Sequence, residues 1–440
     1  MRRSYCFYSL FFMLMLSCSS KNNWKKLAEN PEYIHRSIRE ITEVMVFDIY
    51  SPPVASRIYA YISVAGYEAA INRNPKYFSL AGQLNGLKNM PKPDPHKKYS
   101  FNLAAVQAIL SVGKKLVNSE GRIEAFHTKL ITEFTDAGMP DEVFKNSVDY
   151  GNLVAKAVLA WAAKDHYKQT RSLSKYTVTT DEGSWKPTPP AYFKAVEPNW
   201  NKIRPFVVDS AQQFKPLPAV VFSAKTGSPF YVLAKAVYDA GVNLTENQKQ
   251  ISDFWDCNPF RMNTNGHTMF AVKKISPGGH WINISGLACK KIDADFVRTA
   301  ETYTCVAVVI ADAFISCWDE KYRSKVIRPE TYINQYINQN WMPELQTPPF
   351  PEYTSGHSVI STASAVMLTK LMGDHFEFAD SSEVQFGLPV RRFKSFRVAA
   401  QEAAISRFYG GIHYMNSIQN GITEGEQLAT FITGKLKTRK

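Results

Sequence analysis

Apolar residues recur every three or four positions through most of this chain, which is the spacing of one face of an α-helix. The two clearest stretches cover residues 31–50 and 53–73, and a proline pair separates them. The same period predicts further helices at about 100–117, 122–137, 141–166, 229–240, 245–255, 293–323, 358–372, 395–409 and 419–436. Strand patterns are nearly absent, so the sequence predicts an all-α fold made of helical bundles.

One long segment breaks this period. Residues 170–215 are rich in proline, threonine and aromatic residues, including Trp185 and Trp200, and have no helical spacing. An irregular span of this length in a compact protein is usually functional or wraps the body, so we expect it to cover part of a cleft mouth. We divide the chain into an N-terminal helical bundle at 31–245, which contains this segment, and a C-terminal bundle at 246–440.

The first 18 residues have the pattern of an export signal, with Arg2 and Arg3 ahead of an apolar run. Met15–Cys18 resembles a bacterial lipobox, in which Cys18 becomes the lipidated first residue; ordinary cleavage with Cys18 lost or free is the alternative. Residues 19–30 would then be a tether. No later stretch reaches the roughly 20 uninterrupted apolar residues of a membrane span. We therefore expect an exported lipoprotein, periplasmic or anchored at the outer membrane or cell surface by its lipid alone.

The net charge of +13 favours anionic substrates or surfaces. No basic run is interleaved with aromatic residues, which argues against nucleic acid as a partner. Four cysteines follow the signal, at 257, 289, 305 and 317. They are too few for a disulfide framework and lack the spacing of a zinc site, so we expect them to be buried and apolar. His280, in the loop that opens a helix, is expected to be structural. The sequence does not indicate an oligomeric state.

Residues that could bind an anion or take part in catalysis concentrate in three short clusters between 318 and 413. They are Lys321 and Arg328 in the first cluster, Ser355, Gly356 and His357 in the second, and Arg407 and His413 in the third. Guanidinium and ammonium groups bind tetrahedral oxyanions, and the helix that opens at Ser355 favours an anion at its N-terminus. Anion binding alone does not require both His357 and His413. One can bond the central phosphorus or metal, and the other can transfer protons.

The order Lys-x6-Arg-Pro, Ser-Gly-His, Ser-Arg-x5-His resembles the signature of the superfamily of type 2 phosphatidic acid phosphatases (PAP2) and vanadium haloperoxidases. The resemblance implies helical bundles of that type and a pocket for phosphate or its isostere vanadate. It implies that Lys321, Arg328 and Arg407 hold anion oxygens, and that Ser355 and Gly356 add hydrogen bonds. It also implies that His413 bonds vanadium or attacks phosphorus, and that His357 is the general acid/base. By the same resemblance Asp256 could pair with Arg407; a helix cap is the alternative.

Two reactions are compatible with this resemblance. One is oxidation of a halide, iodide or bromide rather than chloride, by hydrogen peroxide at a vanadate bound to His413. The other is an acid phosphatase reaction, which hydrolyses phosphate monoesters through a phosphohistidine and needs no cofactor. Trp318 resembles a tryptophan that haloperoxidases place beside the vanadate. Phe350 falls where chloroperoxidases have Phe and algal bromoperoxidases have His. Both aromatic residues favour the peroxidase and would form the pocket wall for the halide.

Two positions depart from the signature. Ser417 stands where an aspartate usually follows the last histidine, and Thr354 stands where a proline usually precedes Ser355. Loss of the aspartate would leave His413 less firmly oriented, which should impair a nucleophilic phosphatase more than a vanadate holder. A third hypothesis is an anion-binding lipoprotein without catalysis. The presence of both histidines argues against it.

Overall fold

The computed structural model describes residues 23–265 and 267–440 and confirms the all-α class. The predicted lipidation site, Cys18, lies outside these residues. The described part has fifteen α-helices: α1 Trp24–Glu29, α2 Glu32–Phe47, α3 Pro52–Ala70, α4 Phe101–Leu116, α5 Glu120–Asp136, α6 Asp141–Ala162, α7 Tyr167–Thr170, α8 Pro229–Val242, α9 Glu246–Phe254, α10 Pro277–Lys291, α11 Phe296–Ser324, α12 Pro329–Tyr336, α13 Gly356–Met372, α14 Phe396–Tyr409 and α15 Met415–Lys435. Two antiparallel hairpins pair β1 Met262–Asn265 with β2 Thr268–Ala271, and β3 Phe378–Asp380 with β4 Arg391–Phe393.

Local capping chemistry explains where several helices begin. The hydroxyl of Thr245 accepts from the backbone N–H of Gln248, whose side chain accepts in return from the backbone of Thr245, so a complete capping box opens α9. Asp295 caps α11 by accepting from the N–H of Arg298 at 2.7 Å. Each of these caps involves residues only three positions apart, so the start of the helix can be predicted from the sequence.

Helix α11 is the centre of the molecule. Every residue from Thr299 to Lys321 is buried, and the helix packs against α3, α10 and α13. Among the described helices it alone is long and apolar enough to cross a membrane by composition, and its apolar stretch is wholly enclosed by protein. One continuous apolar core therefore joins the helices of both predicted bundles.

The predicted tether at 19–30 is in part an ordered helix. Residues Trp24–Glu29 form α1, in which Ala28 is buried and its carbonyl oxygen accepts a 2.6 Å hydrogen bond from Asn102 Nδ2. Trp24 and Leu27 pack against the apolar core. The predicted tether thus contains a packed helix at Trp24–Glu29, which the sequence did not show because six residues are too few for a periodic pattern.

The irregular segment 170–215 is held against α11 by backbone groups. The carboxylate of Asp312 accepts the N–H groups of Phe206, Val207 and Val208 at 2.6, 2.7 and 3.0 Å. Farther along the helix, the Val196 carbonyl oxygen accepts from Trp318 Nε1 at 3.2 Å. The segment thus lies along the middle and the C-terminal end of α11. Residues of its earlier part, with Asp48–Ser51, line an open groove of about 650 Å³.

Candidate active site

The three sequence clusters converge at the C-terminal end of α11, the N-terminus of α13 and the turn after α14. Between them is a cavity, and its walls include six predicted site residues and Asp256. The six are Trp318, Phe350, Gly356, His357, Arg407 and His413. Lys321, Arg328 and Ser355 are fully buried immediately behind these walls.

His413 is fixed through one ring nitrogen and leaves the other directed toward a cation. Its Nδ1 is 2.7 Å from Glu352 Oε1, which also accepts the Tyr414 N–H at 3.0 Å. Its Nε2 is 3.1 Å from Nη1 of Arg328. Burial, with Arg328 and Lys321 nearby, lowers the pKa of His413 well below its usual value. The imidazole is therefore neutral, as a metal ligand must be.

Glu352 is a site residue that the sequence analysis did not identify. It lies within the second cluster, three positions before Ser355, and its side chain is fully buried. Burial raises the pKa of Glu352 to about 7, although Arg328 and Lys321 oppose the shift. Ser417 Oγ is 3.5 Å from His413 Nδ1, so Glu352 holds the ring more closely than Ser417 does. The carboxylate that the signature usually places after the last histidine comes here from a different loop.

Arg328 is anchored by two of its nitrogens and leaves a third without a partner. Nε donates to the carbonyl oxygen of Phe350 at 2.9 Å, and Nη1 donates to that of Ile412 at 2.8 Å. Nη2 is buried and has no hydrogen-bond partner among the described residues. Burial lowers the pKa of Arg328 to about 10, which still leaves the group charged at neutral pH.

Lys321 donates hydrogen bonds to backbone carbonyl groups and does not face the cavity. Its Nζ donates to the carbonyl oxygens of Pro351, Glu352 and Thr354 at 3.0, 3.0 and 2.6 Å. These bonds occupy the three ammonium protons and shape the loop that presents Ser355. Burial lowers the pKa of Lys321 to about 8. In this arrangement Lys321 contributes positive charge from behind the cavity wall.

The remaining polar residues come from helix termini. Ser355 Oγ caps α13 by accepting from the Ser358 N–H at 3.4 Å, and His357 stands in the first turn of that helix. Nε2 of His357 is buried without a hydrogen-bond partner in the described part of the chain. Burial, followed by the charge of Arg407, lowers the pKa of His357 well below its usual value. Arg407 Nη2 donates to the Ser252 carbonyl oxygen at 3.2 Å.

Two aromatic rings form the apolar side of the cavity. Trp318 and Phe350 are 4.9 Å apart between ring centroids and tilted by 51°. The Phe350 ring centroid also lies 5.1 Å from Arg328 Cζ and 5.1 Å from Lys321 Nζ. Both cations therefore lie over the Phe350 ring, whose π face stabilises their charge.

Asp256 lines the cavity but does not form an ion pair with Arg407. Its Oδ2 binds Arg261 Nη1 at 2.8 Å and Lys274 Nζ at 2.7 Å. Both partners are close to Asp256 in sequence and reach it from the flanks of the first hairpin. Its charge still raises the pKa of Arg407, against the lowering by burial. Asp256 thus acts on Arg407 electrostatically, without the direct pairing that the resemblance suggested.

The residues around the cavity fit a bound oxyanion such as vanadate. Arg328 Nη2 and His357 Nε2 are buried polar atoms without partners among the described residues, and such atoms are costly unless a ligand satisfies them. Gly356 lines the same cavity, and a Cβ added there would meet only Trp318, at 3.8 Å. The space beside Gly356 is thus open to a ligand. Arg407 and the neutral histidines His357 and His413 line this cavity, and Arg328 and Lys321 add positive charge from immediately behind its walls.

Comparisons with known proteins agree with this geometry. The family model for the VCPO second helical-bundle domain matches residues 301–439. The crystal structure of the first bacterial vanadium-dependent iodoperoxidase is 50% identical, with a TM-score of 0.89, over 93% of this chain and 97% of that one. A holo-type bacterial vanadium-dependent chloroperoxidase has a TM-score of 0.67 at 16% identity, over 88% of this chain and 92% of that one, and shares the fold. A comparison with curated proteins finds no match.

Fold and cavity together define a helical protein built to hold a tetrahedral oxyanion beside a neutral histidine. At this identity and coverage, the chain belongs to the vanadium-dependent haloperoxidase family. It is accordingly an enzyme, a peroxidase that depends on vanadium and uses hydrogen peroxide and a halide.

Proposed function

We propose that this haloperoxidase is an iodoperoxidase, with bromide as its second halide. The observation that carries the proposal is the neutral His413, whose Nε2 faces the cation Arg328 inside a cavity with unpartnered donors. The halide assignment is supported by the 50% identity to a bacterial iodoperoxidase and by the apolar wall of Trp318 and Phe350. An apolar aromatic wall suits a large, weakly hydrated halide better than a small one.

In this proposal each residue has a distinct part in holding vanadate. His413 would bind vanadium through Nε2, and Arg328 and Arg407 would donate to its oxygens, Arg328 through the free Nη2. Ser355 and Gly356 would donate from the N-terminus of α13, where the helix dipole favours an anion. Lys321 would balance the anion's charge from behind the wall. Vanadate, when bound, supplies a Lewis acid that activates hydrogen peroxide toward halide.

His357 would handle protons in the reaction. Because burial and Arg407 keep the imidazole neutral, its Nε2 can accept a proton from hydrogen peroxide as it enters the cavity. The same nitrogen can return that proton to the departing oxygen. Burial of Trp318 and Phe350 excludes bulk water from this side of the cavity, which strengthens each charge interaction.

Two alanine variants separate binding from catalysis. His413→Ala is expected to abolish stoichiometric vanadate binding, measured by equilibrium dialysis and vanadium analysis. His357→Ala is expected to bind vanadate but to lose iodide oxidation by at least about 100-fold, the usual scale of general acid–base catalysis. Retained vanadium in the first variant, or an unchanged rate in the second, would contradict these roles.

The halide assignment has its own test. We expect the purified enzyme to oxidise iodide faster than bromide at equal concentrations, with chloride not used. Phe350→His should change the iodide-to-bromide ratio, because it replaces an apolar ring that also faces Lys321 and Arg328. An unchanged ratio would show that Phe350 does not set halide choice.

Hydrolysis of phosphate monoesters through a phosphohistidine is the second candidate activity. It is favoured by Glu352, because a carboxylate on Nδ1 is what a nucleophilic histidine needs for orientation. The distinction is experimental: a phosphatase would hydrolyse esters without vanadate and would be inhibited by it.

We also propose that the protein is an exported lipoprotein anchored through Cys18, on the basis of the lipobox-like residues at Met15–Cys18. Cys18→Ala is expected to release the protein from the membrane fraction. Membrane association of the variant after a salt wash would contradict the proposal.

A further inference from the structure

Three buried side chains next to the active-site cavity point one ligand-type atom each toward a common centre. Cys257 follows α9, His280 lies in the first turn of α10, and Glu383 follows β3. Their exposed fractions are 2%, 0% and 1%. Cys257 also touches the active-site cavity, whereas His280 and Glu383 have no part in the proposed reaction. We call this group the Cys257 cluster.

The three ligand atoms form a compact triangle. Sγ of Cys257 is 3.3 Å from Nδ1 of His280, and that nitrogen is 3.2 Å from Oε1 of Glu383. Sγ and Oε1 are 3.9 Å apart. A thiol, an imidazole nitrogen and a carboxylate oxygen are together a ligand set that zinc accepts.

These separations match the edges of a tetrahedron around zinc. Zinc–sulfur bonds of about 2.3 Å and zinc–nitrogen or zinc–oxygen bonds of about 2.0 Å place neighbouring ligand atoms about 3.3 to 3.5 Å apart at tetrahedral angles. Two observed edges are within about 0.2 Å of those values, which is the tolerance expected of a genuine site. The third edge, between Sγ and Oε1, is longer by about 0.4 Å, which a small rotation of either side chain removes.

The other side of His280 has the support that metal-bound histidines usually have. Its Nε2 is 2.8 Å from Oδ2 of Asp380, and Oδ1 of the same carboxylate accepts the Ser382 N–H at 2.9 Å. A carboxylate on the far nitrogen fixes the ring and leaves Nδ1 for the metal. The Trp255 ring stacks on His280 at 4.6 Å between centroids and shields it from water.

We propose that Cys257, His280 and Glu383 bind a zinc ion, with Asp380 orienting His280 from behind. The ion joins the end of α9, the start of α10 and the loop after β3. These segments lie far apart in sequence, so no short Cys or His spacing marks the site. Zinc binds a thiolate and an unprotonated Nδ1, so binding releases the proton of the Cys257 thiol, and any proton on Nδ1, to solvent. The zinc ion then takes the place of the hydrogen bonds among the three groups.

The first test is metal analysis of the purified full chain after incubation with zinc and removal of free metal. We expect about one zinc per protein in the wild type, counted separately from vanadium. Cys257→Ser and Glu383→Gln should reduce the zinc content at least tenfold. Asp380→Asn, which keeps all three ligands, should weaken zinc binding about 10- to 100-fold.

Cys289→Ser is the matched control. Cys289 is also buried, is unpaired and lies on the same helix as His280, but it is not part of the Cys257 cluster. This variant should keep one zinc per protein. Equal zinc loss in both cysteine variants would overturn the proposal, because it would show that the loss follows general damage to the fold.

Cobalt substitution tests the site in the wild type, without depending on the folding of any variant. A cobalt ion bound here should give a thiolate-to-cobalt charge-transfer band in the near ultraviolet and the strong visible bands of tetrahedral cobalt. A wild-type protein without this band, and without stoichiometric zinc, would overturn the proposal. It would show that the Cys257 cluster is a hydrogen-bonded histidine between two carboxylates.

Discussion

At the scale of single residues, the candidate site depends on how His413 is held. Glu352 fixes Nδ1, Arg328 faces Nε2, and the carbonyl oxygens around Lys321 set the shape of the loop that carries Glu352. A histidine held through Nδ1 by a carboxylate presents Nε2 in one tautomer and one direction, which is the arrangement that a metal ligand requires.

Removal of Glu352 should therefore weaken vanadate binding more than removal of Ser417. Glu352→Ala is expected to raise the dissociation constant for vanadate about 10- to 100-fold, the usual effect of losing such a partner. Ser417→Ala, whose hydroxyl lies 3.5 Å from Nδ1, is the control and should change the constant only slightly. Titration of the apo protein with vanadate measures both. A larger effect from Ser417→Ala would show that Ser417, and not Glu352, orients His413.

The pKa values of two buried groups predict how vanadate affinity depends on pH. Burial raises the pKa of Glu352 to about 7, so affinity should fall as pH drops below 7 and the carboxyl group gains a proton. Burial lowers the pKa of Lys321 to about 8, so affinity should also fall as pH rises above 8 and the ammonium loses its charge. The maximum should lie between these values.

Glu352→Gln isolates the acid side of this profile, because glutamine does not titrate. Wild type and variant are measured in the same buffers, so the protonation of vanadate itself affects both equally. The variant should lose the decrease below pH 7 and keep the decrease above pH 8. An identical acid side in both proteins would show that another group is responsible.

At the residue level, the short motifs selected side chains that the fold brings to one cavity, while their roles stay predictions. The cavity brings together His357 from the second cluster with Arg407 and His413 from the third, and Lys321 and Arg328 of the first cluster are buried beside it. Glu352 was missed because a lone glutamate beside a motif has no distinguishing pattern until the fold brings it to His413. Asp256 was expected to pair with Arg407 but binds Arg261 and Lys274, because the sequence does not show which cation the fold brings to its carboxylate.

At the scale of elements, α11 connects the covering segment to the active site. Trp318 and Lys321 near its end form part of the site, while Asp312 in its middle holds the segment at Phe206–Val208. Helix α15 contributes a second link, because Glu424 accepts from Ser316 Oγ and from Thr354 Oγ1, both at 2.7 Å. Thr354, which stands where the signature usually has proline, is thus tied to α15 by a buried hydrogen bond.

Asp312→Ala should loosen the covering segment and lower the stability of the fold. The substitution leaves three backbone N–H groups without their acceptor, which should lower the free energy of unfolding by about 3 kcal/mol or more. Asp312→Asn keeps one acceptor oxygen and should have a smaller effect. Thermal and urea unfolding give the stability, and limited proteolysis reports opening near residue 206. Equal stability of Asp312→Ala and wild type would refute this role.

Element prediction was reliable for helices that begin at a clear local cap, such as α9 and α11. It failed for α1, α7 and α12, because four to eight residues are too few to show a period. It also missed α10, whose Pro-Gly-Gly start reads as a loop, so that His280 was expected in a loop and lies in the first turn of a helix. The covering segment was predicted as irregular chain, but its attachment through Asp312 depends on tertiary contact and has no sequence signal. Asp312, within the apolar stretch of α11, was visible in the sequence, yet its partners were not.

At the scale of the whole molecule, the two predicted bundles share one apolar core. Helix α3 from the first half and α13 from the second both pack on α11, so the boundary near residue 245 does not separate two cores. The irregular segment suggested two bundles in the sequence, but the sequence does not show which helix faces of the two halves pack together.

A fragment of residues 246–440 should therefore not form the active site alone. Without α3, an apolar face of α11 becomes exposed, and the fragment should aggregate or lack fixed tertiary structure. Near-ultraviolet circular dichroism and vanadate titration of the fragment test this. Co-expression with residues 23–245 should restore binding. A fragment that binds vanadate with the affinity of the full chain would show that the two halves fold independently.

The most direct test of the central claim is a paired assay on one preparation of the enzyme. Apo protein and protein loaded with orthovanadate are each assayed for peroxide-dependent iodide oxidation and for phosphate-ester hydrolysis. We expect iodide oxidation only with vanadate, abolished by His413→Ala, and hydrolysis absent or confined to the apo protein. Strong hydrolysis by the apo protein, inhibited by vanadate and accompanied by no halide oxidation, would contradict the account and assign the cavity to a phosphatase.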